Sequence, residues 1–143
     1  SMGGLVARRY AQIFGDNDID KLIMIAVPNH GITGSAANYC GLIGENRECL
    51  DMMKDSLFIN KLNDPLKQPQ NARIYNVIGR GCLVDNKDSD GVVAVESVQL
   101  ANSESYFVDG TCSGFFEETL HTSMLNVDKY PETYGIVKEI LKE

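Results

Sequence analysis

Three short apolar stretches, KLIMIAV at 21–27, RIYNVIG at 73–79 and SYFVDG at 105–110, constrain this chain more than anything else in it. KLIMIAV is continuously apolar and rich in isoleucine, as a strand buried on both faces of a parallel sheet is. Pro28 cannot donate a ladder hydrogen bond and marks the exit of that strand. RIYNVIG ends at a glycine, and SYFVDG has the aromatic and β-branched content of a third strand.

Helical patterns separate these stretches. LVARRYAQIF at 5–14 places Leu5, Tyr10, Ile13 and Phe14 at helix-like intervals, with Arg8, Arg9 and Gln12 between them. Gly15 and the DND that follows read as the stop. ECLDMMKDSLFINKLN at 48–63 predicts a helix with Leu50, Met53, Leu57 and Leu62 as its apolar stripe. YPETYGIVKEILKE closes the chain as an amphipathic helix, with Pro131 in its first turn and Ile136, Val137, Ile140 and Leu141 on one face. The segment at about 29–49 is glycine- and asparagine-rich, without a period and longer than most connections, so it reads as a lid-like loop. GCLVDNKDSDG at 81–91 reads as a polar loop, and GVVAVESVQL as a turn with a short helix or strand. Strands alternating with helices predict an α/β architecture built on a parallel sheet. With three strands, that sheet looks incomplete.

Length suits one domain of 143 residues, and a net charge of −7 argues against nucleic acid or an anionic membrane surface as partner. No run approaches the ~18 apolar residues of a membrane span. The four cysteines form no C-x-x-C pair, so no zinc site is expected. Their even number permits two disulfides, Cys40–Cys49 and Cys82–Cys112, which would favour a secreted or extracytoplasmic protein; four buried thiols in a cytosolic protein are the alternative.

Ligands of open α/β sheets bind beyond the carboxyl ends of the strands. Ser1 before the first helix, Asp90 after RIYNVIG and His121 after SYFVDG all fall there, in the order serine, acid, histidine. SMGG at 1–4 matches the downstream side of a G-x-S-x-G nucleophile elbow, whose tight strand-to-helix turn requires small neighbours. In such a triad the histidine takes the serine proton while the carboxylate holds its tautomer. His30, in VPNHG, breaks the order and reads as a structural or pocket-wall residue. Asp85, Asp88 and Asp109 compete with Asp90 for the acid. Asn86, Asp88 and Asp90 also fall at calcium-loop positions one, three and five, but the bidentate acid would fall at Ser97, with Glu96 one residue early.

On these residues the chain resembles the lipase and esterase branch of the α/β-hydrolases across nearly its whole length. SMGGLVARRYAQ is similar to the elbow from its serine onward, and KLIMIAVPNHG to the next strand, with Val27 and Asn29 in place of the usual threonine and first histidine. DMMKDSLFINKLN, SDGVV and LHTSML are similar to the stretch after the lid, the acid loop and the histidine loop. The resemblance implies a serine carboxylic-ester hydrolase acting through an acyl-enzyme on apolar acyl esters, without a cofactor. Ser1 would be nucleophile, Asp90 acid, His121 base, and Met2 an oxyanion-hole N–H. It also implies that residues 1–143 are the C-terminal half of a single hydrolase domain, ordered only with an N-terminal segment carrying the earlier strands. Two other readings stand beside it. In one, the amine of Ser1 is the base; in the other, the chain is a non-catalytic interaction module or inactive fragment.

Overall fold

A computed structural model describes residues 1–34, 36–37, 40, 46–112 and 119–143; part of the lid-like segment, at 35, 38–39 and 41–45, lies outside them. Three strands, β1 (Lys21–Ile25), β2 (Arg73–Arg80) and β5 (Glu104–Asp109), form a parallel sheet in the order β1-β2-β5. The α/β architecture with a parallel sheet flanked by helices is therefore present. A small antiparallel pair, β3 (Cys82–Val84) and β4 (Lys87–Ser89), stands beside it.

The central strand β2 is buried on both faces, which explains why its sequence shows no alternation. On one face α1 (Met2–Phe14) and α3 (Leu57–Leu62) cover Met24 of β1 through Leu5, Ile59 and Leu62. On the other face Val77 and Val108 pack with Leu120 and Met124, and Ile136 of α6 (Pro131–Ile140) adds to that cluster. Tyr75 donates to the Glu143 carboxylate at 2.7 Å, tying the chain's last residue to β2.

Several elements depart from the periodicity. The helix expected over 48–63 is two helices, α2 (Asn46–Met52) and α3. Between them Met53 bridges to Ile32, Lys54 N–H donates to Ile32 at 2.9 Å, and Asp55 adopts φ 65°. Gly31 permits this approach, since a Cβ there would lie 2.6 Å from Lys54 N. Ser56 then caps α3, its Oγ accepting from Ile59 N–H. Leu57 is consequently 80% exposed; of the expected stripe Leu62 is buried, and Cys49 and Ile59 are buried in place of the others.

The polar stretch at 81–91 is a hairpin. Val84 pairs with Lys87 across Asp85 and Asn86, whose φ of 50° and 62° are those of a type I′ turn. GVVAVESVQL contributes the single turn α4 (Val95–Val98), and LHTSML the single turn α5 (Leu120–Ser123). Ile140, the last residue of α6, is buried, while Leu141 just beyond it is exposed.

The largest departure is the orientation of α1. Its buried residues are Leu5, Arg8 and Ala11, while Tyr10, Ile13 and Phe14 face outward, Phe14 at 73% exposure. Arg8 is 1% exposed because its guanidinium finds oxygens to bind. Nη1 donates to Asn29 Oδ1, and Nη2 to Leu62 O, Asn63 Oδ1 and Gln68 Oε1.

Both disulfides are formed, Cys40–Cys49 and Cys82–Cys112. Among the described residues, no helix is long and apolar enough to cross a membrane.

Candidate active site

The three residues singled out by their chain order lie at the carboxyl end of the parallel sheet. Ser1 precedes α1, and its N–H group donates to the Ile25 carbonyl, at the end of β1, at 2.9 Å. Ala26 N–H points the other way, to Val77 of β2, so Ile25 O faces the open edge of the sheet. The Ser1 side chain makes no capping bond to its own helix. Gly4 lets α1 lie against the strand exit, because a Cβ there would stand 2.2 Å from Val27 Cγ2. Gly3, the position the elbow motif asks to be small, has nothing within 4 Å of an added Cβ. Met2 is the first helical residue, and its N–H belongs to the set that has no acceptor within the helix.

Asp90 directly follows β4 and is fully buried. Its Oδ2 lies 2.7 Å from His121 Nδ1, and its Oδ1 accepts from Val92 N–H at 2.9 Å and Val93 N–H at 2.7 Å. The GVV that follows the acid thus supplies backbone donors that fix the carboxylate. Gly79, at the end of β2, makes room for it: a Cβ there would lie 2.7 Å from Asp90 Cβ.

His121 sits in the single turn α5 with its side chain 12% exposed. In the neutral ring the carboxylate facing Nδ1 holds the proton there and leaves Nε2 its lone pair. Asp90 and His121 are therefore brought into contact. Ser1 stands at the same end of the sheet, but among the described residues no hydrogen bond joins Ser1 Oγ to His121.

The competing residues are engaged elsewhere. Asp88 accepts from Gly81 N–H at 2.8 Å, Asp109 pairs with Arg80 at 2.6 Å, and Asp85 lies in the hairpin turn against Gly34. His30 donates from Nε2 to Gln99 O at 2.9 Å and lines a cavity of about 280 Å³. Val92 and Val93 form another wall of that cavity, next to the acid turn. No group of three or more His, Cys, Asp or Glu among the described residues is arranged to hold a metal ion. The calcium spacing is broken because Asn86 turns the hairpin and Asp90 faces His121.

Sequence reasoning missed the polar network behind the site. Asn29 is buried, accepts from Arg8, and donates to Asn76 Oδ1 at 3.2 Å and Val98 O at 2.6 Å. Asn76 in turn donates to Ser103 Oγ at 2.7 Å. Burial lowers the Arg8 pKa to about 10, and among the described residues no carboxylate is bonded to it. An asparagine inside a strand as apolar as RIYNVIG is the one sequence signal of this network. No protein-family model matches the chain, and no curated protein matches it.

Proposed function

We propose that the chain is the nucleophile-bearing part of an α/β-hydrolase-type serine hydrolase that cleaves carboxylic esters of apolar acyl groups. The observation that carries this reading is the Asp90–His121 hydrogen bond at the carboxyl end of the sheet that also presents Ser1. In this reading Ser1 Oγ attacks the ester carbonyl and His121 Nε2 takes its proton. Asp90 stabilises the imidazolium that forms. Met2 N–H, at the positive end of the 13-residue helix α1, donates to the developing oxyanion. Collapse of the tetrahedral intermediate expels the alcohol, protonated by His121, and leaves an acyl-enzyme that water hydrolyses by the reverse proton route. No cofactor enters these steps. The apolar acyl group rests on the resemblance to lipases and esterases, since the cavity beside the acid turn is lined by Lys54, Lys87 and Glu96 as well as by Ile32, Val84, Val92 and Val93.

The partner in this reading is a segment preceding Ser1 that adds a strand to the open edge of β1. Two observations favour it. Ser1 N–H already fills the edge acceptor Ile25 O, and Met2, Val6, Tyr10, Ile13 and Phe14 leave an apolar stripe uncovered on α1. The two disulfides favour a secreted or extracytoplasmic site of action.

The missing Ser1–His121 hydrogen bond favours a second reading, a non-catalytic interaction module. A fluorophosphonate probe separates the two. Labelling of Ser1 that is lost in both Ser1→Ala and His121→Ala supports the triad; a folded protein that takes no label supports the module. Intact mass spectrometry of the natural protein reads whether residues precede Ser1.

A further inference from the structure

The Cys82–Cys112 bridge touches the candidate site. Cys82 begins β3, just past the end of β2, and Cys112 follows β5. Cys112 Sγ lies 3.8 Å from the Asp90 carbonyl oxygen, and that same oxygen accepts the His121 N–H at 2.9 Å. Gly91, at φ 92°, marks how tight the junction is. A Cβ there would stand 2.8 Å from Cys112 Sγ and 3.2 Å from Cβ of Thr119, the residue that precedes α5. The sulfur, the acid turn and the start of the histidine turn therefore meet around one residue. On the inner side Cys82 is buried in the cluster that holds Leu120, the neighbour of His121.

We infer that the Cys82–Cys112 disulfide is a positioning element for the Asp90–His121 pair. It ties the strand end that leads to the acid hairpin to the segment that leads to the histidine, and its outer sulfur packs against the turn they share. This rests on the hydrolase reading above for its catalytic consequence, though not for its geometry. Neither cysteine contacts substrate in this scheme. Their effect passes through the carbonyl and carboxylate of Asp90 to the orientation of the imidazole.

The test uses the full protein with Cys82→Ala and Cys112→Ala combined. Cys82→Val with Cys112→Ala is measured alongside, because valine refills most of the buried volume. Two readouts are taken on variants that retain the wild-type circular dichroism. One is the rate of Ser1 phosphonylation by a fluorophosphonate. The other is the far-downfield proton resonance of His121 Nδ1, which reports its hydrogen bond to Asp90. A fall of about 10–10²-fold in rate, the scale of a ~1 Å misplacement, is expected together with loss of that resonance. A wild-type value of either readout in a folded variant overturns the inference, and so does failure of both variants to fold. If the wild-type protein takes no label, the hydrolase reading fails, and the resonance alone then decides whether the bridge positions the pair.

Discussion

Asp90 and His121 are joined twice, by Oδ2 to Nδ1 at 2.7 Å through their side chains and by the Asp90 carbonyl to the His121 N–H at 2.9 Å through the main chain. The second bond makes the first testable. A substitution that alters only the carboxylate leaves the main-chain junction in place, so its effect reads the tautomer and not the fold.

Asp90→Asn keeps one oxygen for Val92 and Val93 but turns an amide N–H toward Nδ1. His121 must then carry its proton on Nε2, where it can no longer accept one from Ser1. The rate of ester hydrolysis or phosphonylation is expected to fall by about 10⁴, with little change in melting temperature.

Gly79→Ala places a Cβ 2.7 Å from Asp90 Cβ and 3.3 Å from Leu120 Cδ2, squeezing the acid and the residue before the histidine together. Overpacking of this kind costs about 1–3 kcal/mol of stability. The phosphonylation rate is expected to fall by more than that loss explains at temperatures where the variant is fully folded. A wild-type rate would show that the pair tolerates the displacement.

Asp16 holds Asn71 N–H at 2.7 Å and Ala72 N–H at 2.9 Å, and these backbone donors pull its carboxyl down to about 2. A carboxyl whose pKa is depressed on folding contributes stability above its unfolded value of 3.8, and loses it as pH falls through the folded one. Asp16→Asn is expected to cost about 1–3 kcal/mol at neutral pH. Urea denaturation midpoints of the two proteins should converge between pH 4 and pH 2.

Gly135 lies inside α6 with nothing within 4 Å of an added Cβ, whereas a Cβ at Gly4 would meet Val27 Cγ2 at 2.2 Å. Gly135→Ala is expected to stabilise the protein by about 0.5–1 kcal/mol through helix propensity. Gly4→Ala is expected to destabilise it by about 1–3 kcal/mol through overpacking. Thermal unfolding of the two variants checks both signs.

Much of the fold was legible because it depends on local pattern. KLIMI, RIYNVIG and SYFVD form strands as their apolar runs predict, Gly15 ends α1 with φ 87°, and Pro131 opens α6. The two disulfides pair as nearest neighbours in sequence, since each closes a short loop. Of the candidate site, the meeting of the acid and the histidine was legible in their order after successive strands, because a parallel sheet with crossover connections brings successive strand ends to one side.

What lay outside the sequence was decided by distant partners. Leu50 and Leu57 have helical spacing, yet residues 52–54 bond to Ile32, and both leucines are exposed. The aspartates of 85–90 look alike as a string. Only the hairpin register turns Asp90 toward His121 and leaves Asp88 on Gly81. Arg8 has the composition of a surface residue, and four acceptors from Asn29 and residues 62–68 make it the buried side of α1. By itself, then, the sequence determined which segments become strands and helices, because φ/ψ preference and apolar period are properties of neighbours along the chain. Which face of a helix is buried, and which acid meets the histidine, only the tertiary structure decided, because burying a polar group is tolerable only where folding assembles its partners.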